Sequence, residues 1–139
     1  MVNSPPHRAW RVLVVDDDAD IHPLIEVMFE IEGRFEVVGH AHDGQEAIEL
    51  ADTLRPDAVV LDLSMPGGMD GLEALPQLRR LLPESRIVVF SVFPEGLTLV
   101  RVLSAGGDAY LNKASAWELV PVLVQLLGTD SRRHAGSAC

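Results

Sequence analysis

The chain is poor in cysteine and basic residues and has no long apolar run, and each shortage excludes a class of protein. Its single cysteine, Cys139, excludes an intramolecular disulfide and a metal site built on cysteines. Eleven basic residues against twenty-one acidic ones give a formal net charge of -10, which repels nucleic-acid phosphates and anionic membranes. No apolar stretch approaches the roughly 20 residues that span a bilayer. We therefore expect a cytoplasmic protein that binds neither nucleic acid nor a membrane directly.

Length and composition favour one globular domain. At 139 residues, 47% hydrophobic and 23% charged, the chain can bury one sizeable core but is short for two. Residues 1–10 and 128–139 show no hydrophobic periodicity and are rich in prolines or in small polar residues. We predict flexible tails at both ends and one domain over residues 11–127.

Within that domain, β-branched runs alternate with amphipathic segments of helical period, the pattern of repeated βα units. Five strands are predicted, at residues 11–15, 35–39, 58–61, 86–90 and 108–111. The first, third and fourth are continuous apolar runs, typical of strands that helices cover on both faces. The expected fold class is α/β, a (βα)5 doubly wound parallel sheet of flavodoxin-like strand order 2-1-3-4-5.

Three helix starts show the spacing of a capping box, in which a glutamate follows the N-cap residue by three positions. The three pairs are Asp43 with Glu46, Asp70 with Glu73, and Ser115 with Glu118. The first helix is expected to end at Gly33.

Polar side chains follow four of the predicted strands. Asp16 and Asp17 come directly after the first strand and Asp62 after the third, while Ser91 and Lys113 follow the last two. Carboxyl ends of parallel strands meet at one edge of the sheet, where ligands bind at the reversal of strand order. Three close carboxylates repel each other unless a cation offsets their charge, and Mg²⁺ prefers such oxygen ligands. The combination suits phosphoryl transfer.

Four segments at these strand ends occur in chain order: VLVVDDD, VVLDLSMPGGMDGLEAL, VVFSVF and GGDAYLNKAS. Together they resemble the four blocks of bacterial two-component response-regulator receivers, over about residues 11–127. Residues 35–67 are most similar to receivers that precede LuxR-type helix-turn-helix domains.

The resemblance implies a phosphorylation-dependent switch that catalyses its own aspartyl phosphorylation and dephosphorylation, rather than an enzyme with a separate substrate. It makes Asp62 the phosphoacceptor and Lys113 and Ser91 its catalytic partners. It also makes Ser91 and Tyr110 the pair that transmits the switch. The implied phosphodonor is a sensor histidine kinase or a phosphotransfer protein.

The same resemblance implies a Mg²⁺ site and an output surface. Its metal ligands would be Asp17, Asp62 and the backbone carbonyl of Ser64, with Asp16 acting through a water. The output partner would read the face formed by the fourth helix, fifth strand and fifth helix, and a homodimer on phosphorylation is a further expectation. Whether the chain is a stand-alone receiver or a fragment of a longer regulator stays open.

Three positions depart from the family pattern. Ala114 follows Lys113 where many receivers have proline, so whether that peptide bond is cis stays open. Residues 66–69 carry an extra glycine, and Val92 stands where alanine or glycine is usual. Both of these lie beside the expected acceptor.

Other functions remain to be weighed. A haloacid-dehalogenase-type hydrolase needs a second aspartate two residues after the first, but Ser64 is there. A flavodoxin-like electron carrier needs a serine-, threonine- and glycine-rich first loop, which here is acidic at residues 16–18. A receiver-like binding module that accepts no phosphate would not need the complete acid, hydroxyl and lysine set.

Several residues also have purely structural interpretations. We expect Asp18 and Asp20 to cap the first helix and Asp57 to be a turn residue. The five histidines share no metal-ligand spacing, so they are interpreted as surface or cap residues. Trp10 and Trp117 are expected to pack partially.

Overall fold

The computed structural model describes residues 8–92 and 95–128, without the side chains of residues 95–97. Five parallel strands form one sheet in the order 2-1-3-4-5, which confirms the predicted fold class. The strands are β1 Trp10–Val15, β2 Phe35–Ala41, β3 Ala58–Leu61, β4 Arg86–Ser91 and β5 Ala109–Asn112. The helices are α1 Ile21–Glu32, α2 Gly44–Leu54, α3 Gly71–Leu81, α4 Glu95–Ala105 and α5 Leu119–Leu127, with a 3₁₀ helix at Lys113–Glu118.

The strand ends differ from the sequence prediction by one or two residues. β1 begins at Trp10, inside the segment predicted to be a tail, and β4 includes Ser91. β2 continues to Ala41 because a register shift between Val12 and Leu13 lets it follow β1 to its last residue. The predicted tails otherwise lie almost wholly outside the described residues.

Successive residues of the central strands supply two separate cores, one on each face of the sheet. Leu13 and Val15 pack with α2 and α3, whereas Val12 and Val14 pack with α1 and α5. β3 and β4 alternate in the same way, and every residue of β3 is at most 1% exposed. Burial on both faces accounts for the unbroken apolar runs in these strands.

Of the three predicted capping boxes, the one at the start of α3 is confirmed in full. Asp70 accepts a hydrogen bond from the backbone N–H of Glu73, whose side chain accepts one from the backbone of Asp70. At α2, Asp43 caps as predicted, but the Glu46 side chain accepts from the N–H of His42 instead.

The predicted capping box at Ser115 is wrong. Ser115 lies inside the 3₁₀ helix with non-helical backbone angles, and α5 begins only at Leu119. The side chain of Asn112 accepts the N–H of Ala114 and starts that 3₁₀ helix, which takes the place of the predicted first turn. At the other end of the fold, α1 ends at Gly33 as predicted, since this residue has a φ of 88°.

No helix in the described part of the chain is long and apolar enough to span a membrane.

The contact between Gly71 and the end of β3 gives a stability prediction. Gly71 opens α3 with its Cα so close to the backbone carbonyl of Asp62 that any Cβ would overlap that oxygen. Gly71→Ala should therefore push α3 away from the strand end and lower the free energy of unfolding by about 1–3 kcal/mol, measured by urea denaturation. The exposed Arg80 on the same helix supplies the control, and Arg80→Ala should change stability by about 0.5 kcal/mol or less. Equal stabilities for the two variants would contradict the close contact.

Candidate functional site

The sheet fixes the backbone of the two aspartates that follow its central strands. The N–H of Asp16 donates to the carbonyl of Ala41 at 3.0 Å, and the N–H of Asp62 donates to that of Val15 at 2.9 Å. The strand ladders thus extend one residue beyond β1 and β3. Both carboxylates consequently have their positions set by the sheet rather than by a loop.

Three carboxylates meet at this edge. Asp16 and Asp62 are only 1% and 4% exposed, whereas Asp17 is exposed. One oxygen from each lies within 4.8 Å of the other two, and no other trio of acidic, histidine or cysteine side chains in residues 8–92 and 95–128 converges in this way. The structure therefore brings together the three acids that the sequence pointed to.

Lys113, directly after β5, points into the same cluster. Its Nζ lies 2.7 Å from Asp16 Oδ2 and 3.5 Å from Asp62 Oδ2, with its side chain 15% exposed. Burial lowers the pKa of Lys113, but the hydrogen bond to Asp16 and the charge of Asp62 outweigh this effect, so the pKa is raised overall. The ammonium group therefore stays charged and offsets part of the acidic charge.

At Asp62, burial and like charge outweigh the stabilising contacts of the ionised carboxylate. Burial, and then the charge of Asp16, raises the pKa of the Asp62 carboxyl above its ordinary value. Lys113, the N–H of Ser64 and the hydroxyl of Ser91 each lower that pKa, but their sum is smaller. Ionising Asp62 in the folded protein therefore costs more free energy than ionising it in the unfolded chain.

Ser91, the last residue of β4, is 0% exposed. Its Oγ is close enough to Asp62 to affect the pKa of that carboxyl. Among the described residues, however, the hydroxyl has no hydrogen-bond partner of good geometry. The Ser91 hydroxyl is therefore a buried donor beside Asp62 that no acceptor among the described residues engages in good geometry.

Ser64 lies at the site, and Tyr110 lies next to it on β5. The N–H of Ser64 faces Asp62 Oδ1 at 3.4 Å, a long hydrogen bond. Tyr110 pairs with Val89 across β4 and β5 and packs against the α2–α3 core. Its hydroxyl oxygen is buried, not at the surface.

The three departures from the family pattern also have clear positions. Every peptide bond among the described residues is trans, including the one between Lys113 and Ala114. Gly67 has a φ of 94°, a left-handed conformation that favours glycine in the lengthened loop. Val92 is 67% exposed beside the buried Ser91.

The turn interpretation holds for Asp57, but the cap interpretation of Asp18 and Asp20 is wrong, because neither side chain makes a cap hydrogen bond to α1. Asp57 Oδ2 accepts the N–H of Arg11 at 2.8 Å, as expected of a turn residue at the start of β3. Asp18 accepts the N–H of Asp20 just before α1, and Asp20 occupies the N-cap position without a side-chain cap hydrogen bond.

The interpretations of Trp117 as partly packed and of His22 as a surface or cap residue are wrong, and the contacts among His22, His40 and His42 were not predicted from the sequence. Trp117 is 71% exposed because the 3₁₀ helix turns it away from the core. His22 is buried rather than at the surface, and its ring contacts His40 and His42. A signal was available, since His22, Ile25 and Phe29 share the buried stripe of α1 at helical spacing. His7 and His134 lie outside the described residues.

The raised pKa of Asp62 gives a pH-dependent stability prediction. The folded protein keeps the Asp62 proton at pH values where the unfolded chain, with a pKa of about 3.9, has lost it. Ionised Asp62 therefore destabilises the fold as pH rises from about 4 through the higher folded pKa. Asp62→Asn should raise the metal-free melting temperature at neutral pH, and the gain should shrink toward pH 4. The exposed Glu30→Gln is the control, and a gain for Asp62→Asn that does not vary with pH would contradict this origin.

Comparison with known proteins places this geometry in a family. The sequence profile described as "Response regulator receiver domain" matches residues 12–124. The chain is 41% identical over 102 residues to the nitrate/nitrite response regulator protein NarL of Escherichia coli, covering 73% of this chain and 47% of NarL. It is 39% identical over 118 residues to a protein-glutamate methylesterase/protein-glutamine glutaminase of Maricaulis maris, covering 84% of this chain and 29% of that protein. The chain thus spans about half or less of these curated relatives.

A solved structure agrees with the sequence relatives. The LuxR-family two-component response regulator from Aurantimonas sp. SI85-9A1 superposes with a TM-score of 0.78 at 30% identity, covering 86% of each chain. Sequence, fold and the geometry of the acidic edge therefore agree, and this chain belongs to the response-regulator receiver domains of two-component systems, with relatives in the LuxR family.

Proposed function

We propose that this receiver takes a phosphoryl group onto Asp62 from a phosphohistidine of a sensor histidine kinase or phosphotransfer protein, in a reaction that requires Mg²⁺. The observation that carries the proposal is the convergence of Lys113 Nζ on two buried carboxylates, at 2.7 Å from Asp16 and 3.5 Å from Asp62. Two buried acids beside a single ammonium leave negative charge uncompensated, and that excess favours a cation at the same edge.

Receiver domains bind Mg²⁺ at an acidic pocket, and the three carboxylates here fit that ion. They offer only hard oxygen donors, and the exposure of Asp17 keeps the cluster open to solvent. Asp17, Asp62 and the carbonyl of Ser64 would be direct ligands, with Asp16 acting through a water. When bound, the ion supplies positive charge that offsets the carboxylates and the phosphoryl oxygens.

The residues of the chain then account for the transfer itself. A carboxylate oxygen of Asp62 attacks phosphorus, an O–P bond forms, and the N–P bond breaks with its electron pair remaining on the donor imidazole. Lys113 would move from Asp16 toward a phosphoryl oxygen, a shift that needs little motion because it already lies between the two acids. Positioning and charge balance supply most of the catalysis in such transfers, so the site needs no separate acid or base.

The unused hydroxyl of Ser91 supplies the switch. Phosphorylation adds roughly −1.5 to −2 charge and three acceptor oxygens, to one of which Ser91 can donate. Such a charge-assisted hydrogen bond, worth about 1.5–3 kcal/mol, shifts a two-state equilibrium roughly ten- to hundredfold. Tyr110 would transmit the change, and since its hydroxyl is already buried we expect a rearrangement within the core.

The output surface that we propose is formed by α4, β5 and α5, together with the 3₁₀ helix that precedes α5. It presents large apolar side chains to solvent, with Val100, Leu103 and Trp117 exposed by 62%, 52% and 71%. β5 connects this surface to the site, since Asn112 pairs with Ser91 and precedes Lys113. A partner protein or a second phosphorylated copy would bind here.

Phosphorylation by a small donor tests the acceptor directly. Incubation with acetyl phosphate and Mg²⁺ should add one phosphate to the chain, detected by intact mass, and Asp62→Asn should lose at least nine-tenths of the labelling because no other carboxylate has the same partners. Asp52→Asn, at an exposed position on α2, is the matched control and should label fully. Full labelling of Asp62→Asn, or labelling that persists in excess EDTA, would show that the assignment is wrong.

The exposure of Val92 predicts an effect on the lifetime of the phosphorylated state. Val92 directly follows Ser91 and is exposed, so we expect its isopropyl group to stand at the mouth of the site and to narrow the path of the water that attacks the aspartyl phosphate. Val92→Ala should therefore lose phosphate several-fold faster, measured on purified phosphoprotein. Because the side chain is 67% exposed, its truncation should change stability by about 0.5 kcal/mol or less.

Val27→Ala makes the same change at a 53% exposed valine of α1 and should leave the hydrolysis rate unchanged. A destabilised Val92→Ala protein with an unaltered hydrolysis rate would instead indicate that Val92 only packs.

A further inference from the structure

A pair of histidines lies behind the acidic edge, where α1 packs on β2. His22 projects from the first turn of α1 and is 7% exposed, while the side chain of His40 on β2 is 33% exposed. Their Nδ1 atoms are 2.6 Å apart, and the rings meet edge to face at a centroid distance of 4.6 Å. This contact plays no part in the phosphoryl transfer described above.

Each ring has its other nitrogen bound to an oxygen that accepts hydrogen bonds. His22 Nε2 lies 2.8 Å from the backbone carbonyl of Asp16, and His40 Nε2 lies 2.9 Å from Glu26 Oε2. A carbonyl or carboxylate oxygen only accepts, so both Nε2 atoms carry their protons. In a neutral imidazole the remaining nitrogen is then a bare acceptor.

In a neutral pair two lone pairs would face each other at 2.6 Å, an arrangement that repels unless a proton or a metal cation lies between them. The two rings are also oriented as metal-binding histidines are, with the distal N–H fixed by a backbone carbonyl or a carboxylate. We propose that His22 and His40 form a binding site for a divalent transition-metal cation, coordinated through their two Nδ1 atoms.

The chemistry of the ligands selects the class of ion. Imidazole nitrogens suit Zn²⁺, Cu²⁺ and Ni²⁺, whereas the carboxylates at the sheet edge suit Mg²⁺. Zn–N bonds of about 2.0–2.1 Å in tetrahedral geometry place two nitrogens roughly 3.3 Å apart, so the rings must separate by about 0.7 Å. His40 can make that movement because its side chain is partly exposed. No third protein ligand converges on this pair among the described residues, so water completes the coordination.

Imidazole nitrogen resonances test the site residue by residue. The 139-residue chain with His7→Asn and His134→Asn retains three histidines, and Zn²⁺ is added at about pH 8 with Mg²⁺ in millimolar excess. Long-range ¹H–¹⁵N spectra should show the Nδ1 signals of His22 and His40 shifting together and saturating at one equivalent. Asp62→Asn in the same background should show the same shifts, which separates this site from the acidic edge.

Two variants decide the outcome. His40→Asn should weaken Zn²⁺ binding at least tenfold, whereas His42→Asn, which removes a neighbouring ring bound to Glu46, should leave it unchanged. Thermal melting of both variants checks that they are folded. Nδ1 signals that do not respond to Zn²⁺ would show that the pair only shares a proton, and undiminished binding by His40→Asn would place the ion elsewhere; either result overturns the proposal.

Discussion

The repulsion between the buried carboxylates of Asp16 and Asp62, incompletely balanced by Lys113, governs the chemistry of this fold. The strand ladders hold both acids at the sheet edge, so they cannot relieve the repulsion by moving apart. Lys113 contacts both but lies nearer to Asp16, and the pKa of Asp62 stays raised by burial and by the neighbouring charge. Uncompensated negative charge of this kind favours a cation at the sheet edge, and any change of charge at Asp62 alters the balance.

The fold tolerates this repulsion because its stability comes from apolar packing away from the site. Two apolar cores cover the two faces of the sheet. The side chains proposed to act in the site, those of Asp16, Asp62, Ser91 and Lys113, lie at or beyond the last residue of their strands. The cores and the site share the same backbone but few side chains. The sheet can therefore hold its carboxyl edge rigid while that edge changes charge.

The sequence predicts the sheet and the composition of the site well because both depend on short-range patterns. Apolar runs such as residues 58–61 indicate buried strands, and an aspartate directly after such a run has only one edge to occupy. The failures arose where competing local contacts decided the outcome. At Ser115 a side-chain cap from Asn112 prevailed over a plausible capping box, and no spacing rule ranks the two.

The histidine pair shows a different limit of sequence reasoning. His22 and His40 are eighteen residues apart and on unlike elements, so no metal-ligand spacing links them. Their contact depends on how α1 packs across β2, which is a property of the assembled layers. The helical stripe alone indicates that His22 is buried, but not what its ring meets.

Successive residues of the central strands face different cores, and this alternation limits where residues can be inserted or deleted. One residue inserted into β3 or β4 would exchange the two apolar faces beyond it, leaving side chains selected for one core in the other. The loop at residues 66–69 is not bound by this alternation. Its additional glycine is accommodated by a left-handed turn at Gly67. Insertions and deletions should therefore accumulate around the mouth of the site, so loop length there can diverge between relatives while strand length stays fixed.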